Sequence, residues 1–394
     1  EVVFGSSSVG YGSDALGGVI HYYTRNPLIN SEDKIKTQFS SDFSSADNAS
    51  INSFSTELSF KKWASLTSVS HSNFGDIRMG KNRNHGYEKW GLTPFYSAND
   101  RTTYSPTPLE NENPLIQKNT GYEQIDLMQK FLVQLGGQNQ FVLNLQYSNS
   151  SDISRYDKLV EERNGTLRYA EWYYGPQKRF LLSPQLKIFP EKKFLNSGKI
   201  TFAFQKLEES RNNRFFNSLT RNFQREKVNA LSLNGDFEFQ LKEEHSFSYG
   251  FEGVFNDISS YAHQYDLILQ QNEIIGSSPN LPIPTRYPNR GSSYGSYAVY
   301  LNWIWDLSSQ LTLNAGIRLT STHLRAKWGQ SYNINSLLSR VQLDAEALTE
   351  TLALTYRPNK NTQWNAILSN GFRDPNIDDV GKIRESRGTL IVPN

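Results

Sequence analysis

Hydrophobic and polar positions alternate along much of the chain. In residues 297–307, YAVYLNWIWDL, every odd position is apolar or aromatic, while the even positions include Asn302 and Asp306. Residues 311–320 and 231–241 follow the same period of two. Because successive side chains of a strand point to opposite faces, each segment predicts a strand of about ten residues with one apolar and one polar face.

This period recurs often enough to predict about thirteen strands. The predicted strands are residues 34–44, 50–60, 62–73, 123–135, 138–150, 178–189, 198–212, 223–241, 245–259, 292–307, 310–326, 346–358 and 361–372. Short joins such as 136–137 and 308–309 alternate with longer ones such as 74–122, 213–222 and 260–291. Short periplasmic turns and longer extracellular loops alternate in this way in a transmembrane barrel.

The fold class predicted from this pattern is all-β, a transmembrane antiparallel β-barrel with lipid on its apolar face. A soluble antiparallel sheet with one wet face is the alternative. The predicted strands favour the barrel, because strands of soluble proteins usually run to about five or six residues. The aromatic run Tyr169, Trp172, Tyr173 and Tyr174 is interpreted as part of the interfacial aromatic girdle, with a ligand-stacking surface as the alternative.

Composition excludes several other classes. No apolar run approaches the ~18 residues that a membrane-spanning helix needs. The chain has no cysteine, so it has neither disulfides nor thiolate metal sites. Its net charge of +2, from 41 basic and 39 acidic residues, gives no nucleic-acid footprint. We find no G-x-S-x-G elbow, phosphate-binding loop or H-E-x-x-H pair and therefore expect no enzymatic activity.

The first residues carry a glycine-rich motif. Residues 7–27, SSVGYGSDALGGVIHYYTRNP, resemble the closing segment of the plug domain of TonB-dependent outer-membrane receptors. The motif residues are Tyr11, Gly12, Gly17 and Gly18. Glycine permits close backbone approach or positive φ inside a crowded lumen, and a strand is predicted over 19–24. The resemblance implies that 1–27 end the plug and that 28–394 form the N-terminal part of the barrel.

Two further stretches carry the resemblance. Residues 369–394 are similar to the family's Phe-Arg-x-Pro box and the loop that follows it, with aspartate where alanine is usual. The residues of this loop box are Phe372, Arg373, Pro375 and Asn376. Residues 74–91 resemble the outer loop of haem, haemoglobin and iron-complex receptors of Bacteroidetes-type bacteria.

Candidate ligand-binding residues lie in that outer loop: Arg78, Lys81, Arg83, His85 and Tyr87. A neutral imidazole can ligate haem iron, and cations can pair with a propionate or a siderophore carboxylate. A solvated loop and contacts with lipopolysaccharide phosphates are the alternatives. Residues 376–392 contain no histidine where haem receptors of this kind often carry one. We expect no resident metal or cofactor, with haem or a ferric siderophore as cargo.

The resemblance implies TonB-dependent active transport of an iron complex across the outer membrane of a Gram-negative bacterium. The implied partners are the TonB energy-coupling complex, outer-membrane lipid and lipopolysaccharide, the iron complex and a surface lipoprotein, but no nucleic acid. It also implies a fragment that lacks most of the plug and the C-terminal strands of a barrel of about 22 strands. The alternatives are a passive porin, an adhesin barrel, or TonB-dependent uptake of oligosaccharide or cobalamin.

Overall fold

The computed structural model describes residues 2–4, 8–13, 15–30, 32, 34–82, 84, 86–190, 195–329, 339–382, 384–386 and 389–391. These residues are mainly β-structure, with three short helices: α1 (Ser8–Tyr11), α2 (Tyr156–Leu159) and α3 (Ile377–Gly381). Within this described part of the chain, none of the helices has the length and hydropathy needed to cross a bilayer.

Thirteen strands of the described residues form one large sheet. They are β3 (Lys34–Ser44), β4 (Ala49–Ser59), β5 (Trp63–Phe74), β10 (Tyr122–Gly136), β11 (Asn139–Ser150), β16 (Lys178–Ile188), β17 (Ser197–Phe215), β18 (Thr220–Lys242), β19 (His245–Gln270), β22 (Ser292–Asp306), β23 (Leu311–Lys327), β24 (Arg340–Asn359) and β25 (Thr362–Ser369). Each pairs antiparallel with the next along the chain. Every one overlaps a predicted strand, which confirms the all-β antiparallel fold.

Shorter strands lie in the N-terminal segment, the loops and the C-terminal region. They are β1 (Val2–Phe4), β2 (Gly18–Ile20), β6 (Ile77–Arg78), β7 (Phe95–Tyr96), β8 (Leu109–Glu110), β9 (Ile116–Gln117), β12 (Ile153–Ser154), β13 (Glu162–Arg163), β14 (Thr166–Leu167), β15 (Tyr169–Tyr174), β20 (Glu273–Ser277), β21 (Leu281–Pro282), β26 (Arg384–Ser386) and β27 (Thr389–Ile391). Only β2 falls in the predicted strand 19–24, which is therefore shorter than expected.

The two faces of the large sheet differ sharply in polarity. Val299 of β22 lies opposite Leu319 of β23, and their side chains are 55% and 56% exposed. On the other face, Arg318 lies opposite Thr349, and both are 1% exposed. Exposed apolar side chains on one face and covered polar ones on the other reverse the arrangement of a soluble sheet. The apolar face is therefore the lipid-facing, outward side, as the alternation predicts.

The sheet has two free edges. Among the described residues, no ladder joins β25 to β3, and nearly every residue of these two strands is exposed. Ile35, Phe39 and Phe43 on β3 are exposed at every fourth position and share one face, so the edge strand keeps the outward apolar pattern. The structure is therefore an open β-barrel wall of thirteen strands.

An aromatic girdle lies at the end of the sheet that carries the short turns. Phe239 and Phe247 stack with ring centroids 4.8 Å apart, and Trp303 and Trp305 stack at 5.3 Å. Their strands are joined by the tight turns that follow Lys242 and Asp306. Aromatic rings of this kind mark a membrane–water interface, and because short turns lie at the periplasmic end, this girdle lies at the periplasmic interface.

The aromatic run in β15 is a different feature, and its interpretation as girdle was wrong. Tyr169, Trp172 and Tyr173 are each no more than 9% exposed, and Tyr169 and Trp172 form a small core with Leu159 of α2. Leu159 of α2 and the loop residues Ser97 and Arg101 pack against β15. These rings therefore pack inside the outer loops and do not meet lipid.

Three strands extend well past the apolar band on the outer side. β17, β18 and β19 contain 19, 23 and 26 residues, whereas a transmembrane strand needs only about 9–11. The join predicted over 213–222 is reduced to residues 216–219, with Asn217 at φ 60° in the turn. Continuous cross-strand hydrogen bonding thus replaces the longer loops that polarity alone predicted.

Candidate functional site

The N-terminal segment, residues 8–28, lies across the polar face of the sheet. At one end α1 packs on β23 and β24, where Val9 sits beside Gly316. At the other end the Leu28 amide donates to Glu57 of β4 over 2.8 Å. These strands lie near opposite edges of the sheet, so the segment crosses from one end of the polar face to the other.

The Gly12 backbone makes the closest approach to the wall. Gly12 has φ 80°, and a Cβ at this position would lie 2.9 Å from Arg318 Nη2. Arg318 is held by Glu252 at 2.9 Å and by Thr320 at 3.1 Å. Both the conformation and the space require glycine here. Gly17 of the predicted motif is exposed, and a Cβ there would meet no atom within 4 Å, while Gly18 begins β2 at φ 149°.

Charged groups hold the other end of the segment. Lys130 of β10 is 4% exposed, and its Nζ donates to the Thr24 carbonyl at 2.9 Å and to Asn26 Oδ1 at 2.8 Å. Arg25 pairs with Glu57 at 3.3 Å. The segment is thus attached to the wall mainly through polar contacts. The aromatic side chains Tyr22 and Tyr23 add little apolar contact with the wall, because they are 86% and 70% exposed.

The loop box connects this segment to the wall at the outer end. The Asp374 amide donates to Ser13 Oγ at 2.9 Å, and the Asp374 carboxylate accepts from Thr322 of β23. Arg373 pairs with Asp379 at 3.0 Å and Asn376 caps α3. Asp374, which stands where the family usually has alanine, is therefore 7% exposed and hydrogen-bonded to both Ser13 and Thr322.

The remaining box residues differ from the prediction in one respect. β25 ends at Ser369, whereas the predicted strand continues to Phe372, which is half-buried in the following segment. Pro375 is exposed. Because the chain turns inward to reach Ser13, it leaves the sheet earlier than its sequence pattern indicates.

A group of charged side chains, which we call the luminal outer cluster, lies on the same polar face above the N-terminal segment. Its members are Arg211, Glu226, Arg286, Tyr287 and Asp378. Arg211 pairs with Glu226, and Tyr287 donates to Asp378, from which Arg286 is 4.0 Å away. Arg286 Nε has no hydrogen-bond partner among the described residues. The cluster connects three loop and strand segments, and its Arg286 Nε is buried.

Protonation in this cluster is set by its contacts. Burial acts to raise the pKa of Asp378, but hydrogen bonds from Lys382 and Tyr287 bring it below its usual value. Burial, together with the hydrogen bond to Asp378, raises the pKa of Tyr287. At neutral pH the carboxylate is charged and the phenol is neutral, so the phenol is the donor.

A second cluster attaches the long outer loop, residues 75–121, to the strand extensions. Glu171 of β15 is 2.7 Å from Arg214 Nε and 2.7 Å from Arg221 Nε, and all three side chains are almost fully buried. Asn99 of the long outer loop accepts from Arg214, whose guanidinium lies 4.8 Å from the Tyr104 ring centroid. The loop is therefore fixed by a buried carboxylate shared between two guanidinium groups.

The predicted ligand-binding residues lie elsewhere on the long outer loop. Arg78 is exposed in β6, Lys81 is exposed, and Tyr87 is 70% exposed. Arg83 and His85 lie outside the described residues. Within the described part of the chain, no group of three or more potential metal ligands occurs. The role of Arg78, Lys81, Arg83, His85 and Tyr87 in ligand binding stays a prediction.

Sequence reasoning missed the residues that hold the N-terminal segment. Arg318, Lys130, Glu57 and Glu252 each lie within a long strand, on the polar side of the alternation. A charged side chain in mid-strand, away from any turn, is the signal that identifies a luminal contact. The division of the chain at residue 27 into plug and barrel also stays a prediction.

Comparison with known families identifies one match. The family described as TonB dependent receptor-like, beta-barrel matches residues 63–386. Among curated protein sequences, none matches the chain.

Several solved structures are similar in fold. The copper transporter OprC superposes with a TM-score of 0.69 at 10% identity, covering 96% of this chain and 51% of that one. The FrpB iron transporter from Neisseria meningitidis gives 0.63 at 14% identity, with 95% and 52% covered. The Serratia marcescens hemophore receptor HasR, in complex with HasA and heme, gives 0.60 at 14% identity, with 100% and 54% covered. The chain thus spans about half the length of these structures.

Proposed function

The chain belongs to the TonB-dependent receptor β-barrel family, and from that premise we propose that it is part of an energy-coupled transporter for an iron complex. Receptors of this family lie in the outer membrane of Gram-negative bacteria, and so does this protein. In this proposal residues 1–27 are the end of a plug that closes the barrel. Cargo binds at the outer end, and work supplied through TonB displaces the plug.

The observation that carries this proposal is the position of residues 8–28 on the polar face. An open channel needs no chain held across its lumen, whereas a gated one needs a chain that is held firmly but releasably. Hydrogen bonds and partly exposed ion pairs contribute about 0.5–1.5 kcal/mol each and can be broken one at a time. The contacts of Ser13, Lys130 and Glu57 are of this kind.

We further propose that cargo meets two sets of donors. The exposed Arg78, Lys81 and Tyr87 of the long outer loop, together with Arg83 and His85, form the first. Arg286 of the luminal outer cluster, whose side chain is 23% exposed, forms the second. Guanidinium groups suit the carboxylates of siderophores and the propionates of haem. Two of the similar structures are named as an iron transporter and as a receptor bound to heme.

Uptake by whole cells tests the proposal. A strain that lacks the full-length gene is supplied with radioactive iron as a ferric siderophore or as haem, with and without a protonophore. We expect the gene to restore uptake of one complex and the protonophore to abolish it. Protonophore-resistant uptake would identify a passive pore, and rescue by copper, oligosaccharide or cobalamin alone would overturn the iron assignment.

A further inference from the structure

A cavity of about 320 Å³ lies between the long outer loop and β15. Residues 99–102, 119 and 121 of the long outer loop line one side of it, and residues of β12, α2 and β15 line the other. We call it the loop cavity. Its volume falls at the lower end of the range of about 300–1,000 Å³ that is typical of small-ligand sites. The loop cavity is therefore large enough for one small molecule.

Tyr173 in the wall of the loop cavity points away from the lumen. Tyr173 lies opposite Asn212 of β17, so the two side chains share one face of the sheet. Asn212 is an even number of residues from Phe202, which is 38% exposed on the lipid-facing side. Because alternate residues of a strand share a face, Tyr173 also lies on the outward side. A ligand bonded to its hydroxyl is therefore outside the route of cargo through the lumen.

The Tyr173 hydroxyl is a donor without an acceptor in the protein. Tyr173 is 9% exposed, and within the described part of the chain its hydroxyl forms no hydrogen bond. Burial raises the pKa of this hydroxyl, so it stays protonated and is able to donate. A buried donor that lacks an acceptor costs free energy. An oxygen atom of a ligand in the loop cavity would supply the missing acceptor.

The charges around the loop cavity cancel. The charged groups that line it or lie directly behind its wall are three carboxylates and three guanidinium groups: Asp100, Asp152, Glu171, Arg101, Arg214 and Arg221. Arg101 pairs with Asp152, with Nη2 2.6 Å from Oδ1. Glu171 is shared between the other two guanidinium groups. The loop cavity therefore suits a neutral ligand better than a carboxylate or a cation.

The lining of the loop cavity combines apolar surface with hydroxyl and amide groups. Its apolar residues include Leu159, Ala170 and Trp172, and its polar residues include Thr102, Asn119 and Ser154. A pyranose sugar has the matching composition, because its faces carry C–H bonds and its edge carries hydroxyl groups. A mainly apolar wall with a few placed polar groups is the usual construction of a site that orients a small ligand.

We propose that the loop cavity binds one neutral pyranose unit. The Tyr173 hydroxyl donates to an oxygen of the sugar, and the hydroxyl and amide groups of the lining bond its remaining hydroxyl groups. The apolar residues contact the C–H bonds of the ring. This site is separate from the lumen, so sugar bound here is not transported cargo and the inference does not rest on the identity of the cargo.

Ligand-observed NMR on the purified full-length receptor tests this inference. The receptor is solubilised in an amine-oxide detergent, because maltoside and glucoside detergents would themselves enter a sugar site. The probes are the methyl glycosides of glucose, galactose, mannose and fucose, with gluconate and glucosamine as charged probes. We expect saturation transfer to at least one neutral glycoside and none to the charged probes. Added salt should leave binding unchanged, because a neutral ligand is not screened.

Tyr173→Phe is the test variant, and Tyr96→Phe is the matched control. Tyr96 lies in the long outer loop but is not part of the cavity lining. Loss of one hydrogen bond should weaken glycoside binding about fivefold in Tyr173→Phe, whereas the control should bind as wild type does. Thr102→Trp fills the cavity from an exposed position and should abolish binding. Folding of each variant is checked by the mobility of the unheated protein on a gel.

Three outcomes would overturn the inference. The first is an absence of saturation transfer to all four neutral glycosides. The second is equal glycoside binding by wild type and by folded Tyr173→Phe or Thr102→Trp. The third is binding of gluconate or glucosamine as tight as that of the neutral glycosides. None of these outcomes depends on whether the receptor transports an iron complex.

Discussion

Replacing Gly12 by alanine adds one carbon atom at the closest contact between the N-terminal segment and the wall. The new Cβ would lie 2.9 Å from Arg318 Nη2, and φ at this position is 80°. Left-handed backbone costs an L-residue roughly 1–2 kcal/mol. Arg318 cannot move away freely, because Glu252 and Thr320 hold its guanidinium. The N-terminal segment, rather than Arg318, must therefore shift to relieve the strain.

The expected loss is about 2 kcal/mol, which corresponds to a roughly thirtyfold rise in the detached fraction of the segment. Hydrogen exchange of the detergent-solubilised full-length protein measures it. Amides of residues 8–13 should exchange about thirtyfold faster in Gly12→Ala than in wild type, while those of β17 and β18 should not change.

Gly17→Ala is the matched control, because Gly17 is exposed and a Cβ there would meet no atom within 4 Å. Its exchange rates should stay within about twofold of wild type, since an unstrained surface change costs little. Equal exchange in the two variants would refute the argument that Gly12 is required by close approach. Faster exchange throughout the barrel strands would show that the strain is not local.

Three further perturbations test the other contacts. The chain has no native cysteine, so Ser13→Cys with Asp374→Cys should form one disulfide that blocks cargo uptake; a reductant should restore uptake, and each single variant should transport normally. Glu171→Gln leaves the buried guanidinium groups of Arg214 and Arg221 without their carboxylate and should destabilise docking of the long outer loop by about 3 kcal/mol. Proteolysis of that loop should then be faster than in wild type, and resistance equal to that of wild type would disprove this role of Glu171. The lowered pKa of Asp378 gives a stability contribution that is present above its unfolded value and lost as pH falls below about 4. Protection of α3 should fall there more in wild type than in Asp378→Asn, and an equal fall in the two proteins would contradict this assignment.

Alternation alone predicted the sheet, because a strand with one apolar and one polar face has only one way to place itself between lipid and lumen. The segments around Val299 and Leu319 show this directly, since they pair with their apolar side chains on one face. Turn parity also predicted which end carries the long loops. Loop lengths were less predictable: β19 continues to Gln270 because neighbouring strands supply its hydrogen-bond partners.

The candidate site was predictable only in part. The glycine-rich motif indicated a segment in close contact with a wall, and Gly12 has that role. Its partner Arg318 is more than 300 residues away in sequence, so no local pattern connects the two. The same holds for Ser13 and Asp374, which the fold brings to 2.9 Å. The aromatic run of β15 was misinterpreted for the same reason, since loops distant in sequence cover it.

The sequence by itself determined what a period of two can determine: where the strands lie and which of their faces points outward. Tertiary structure decided which polar groups meet across the polar face and which side chains line the loop cavity. The physical reason is that side-chain direction is a local property of a strand. The partner of a side chain depends on register and curvature, which many distant contacts set together.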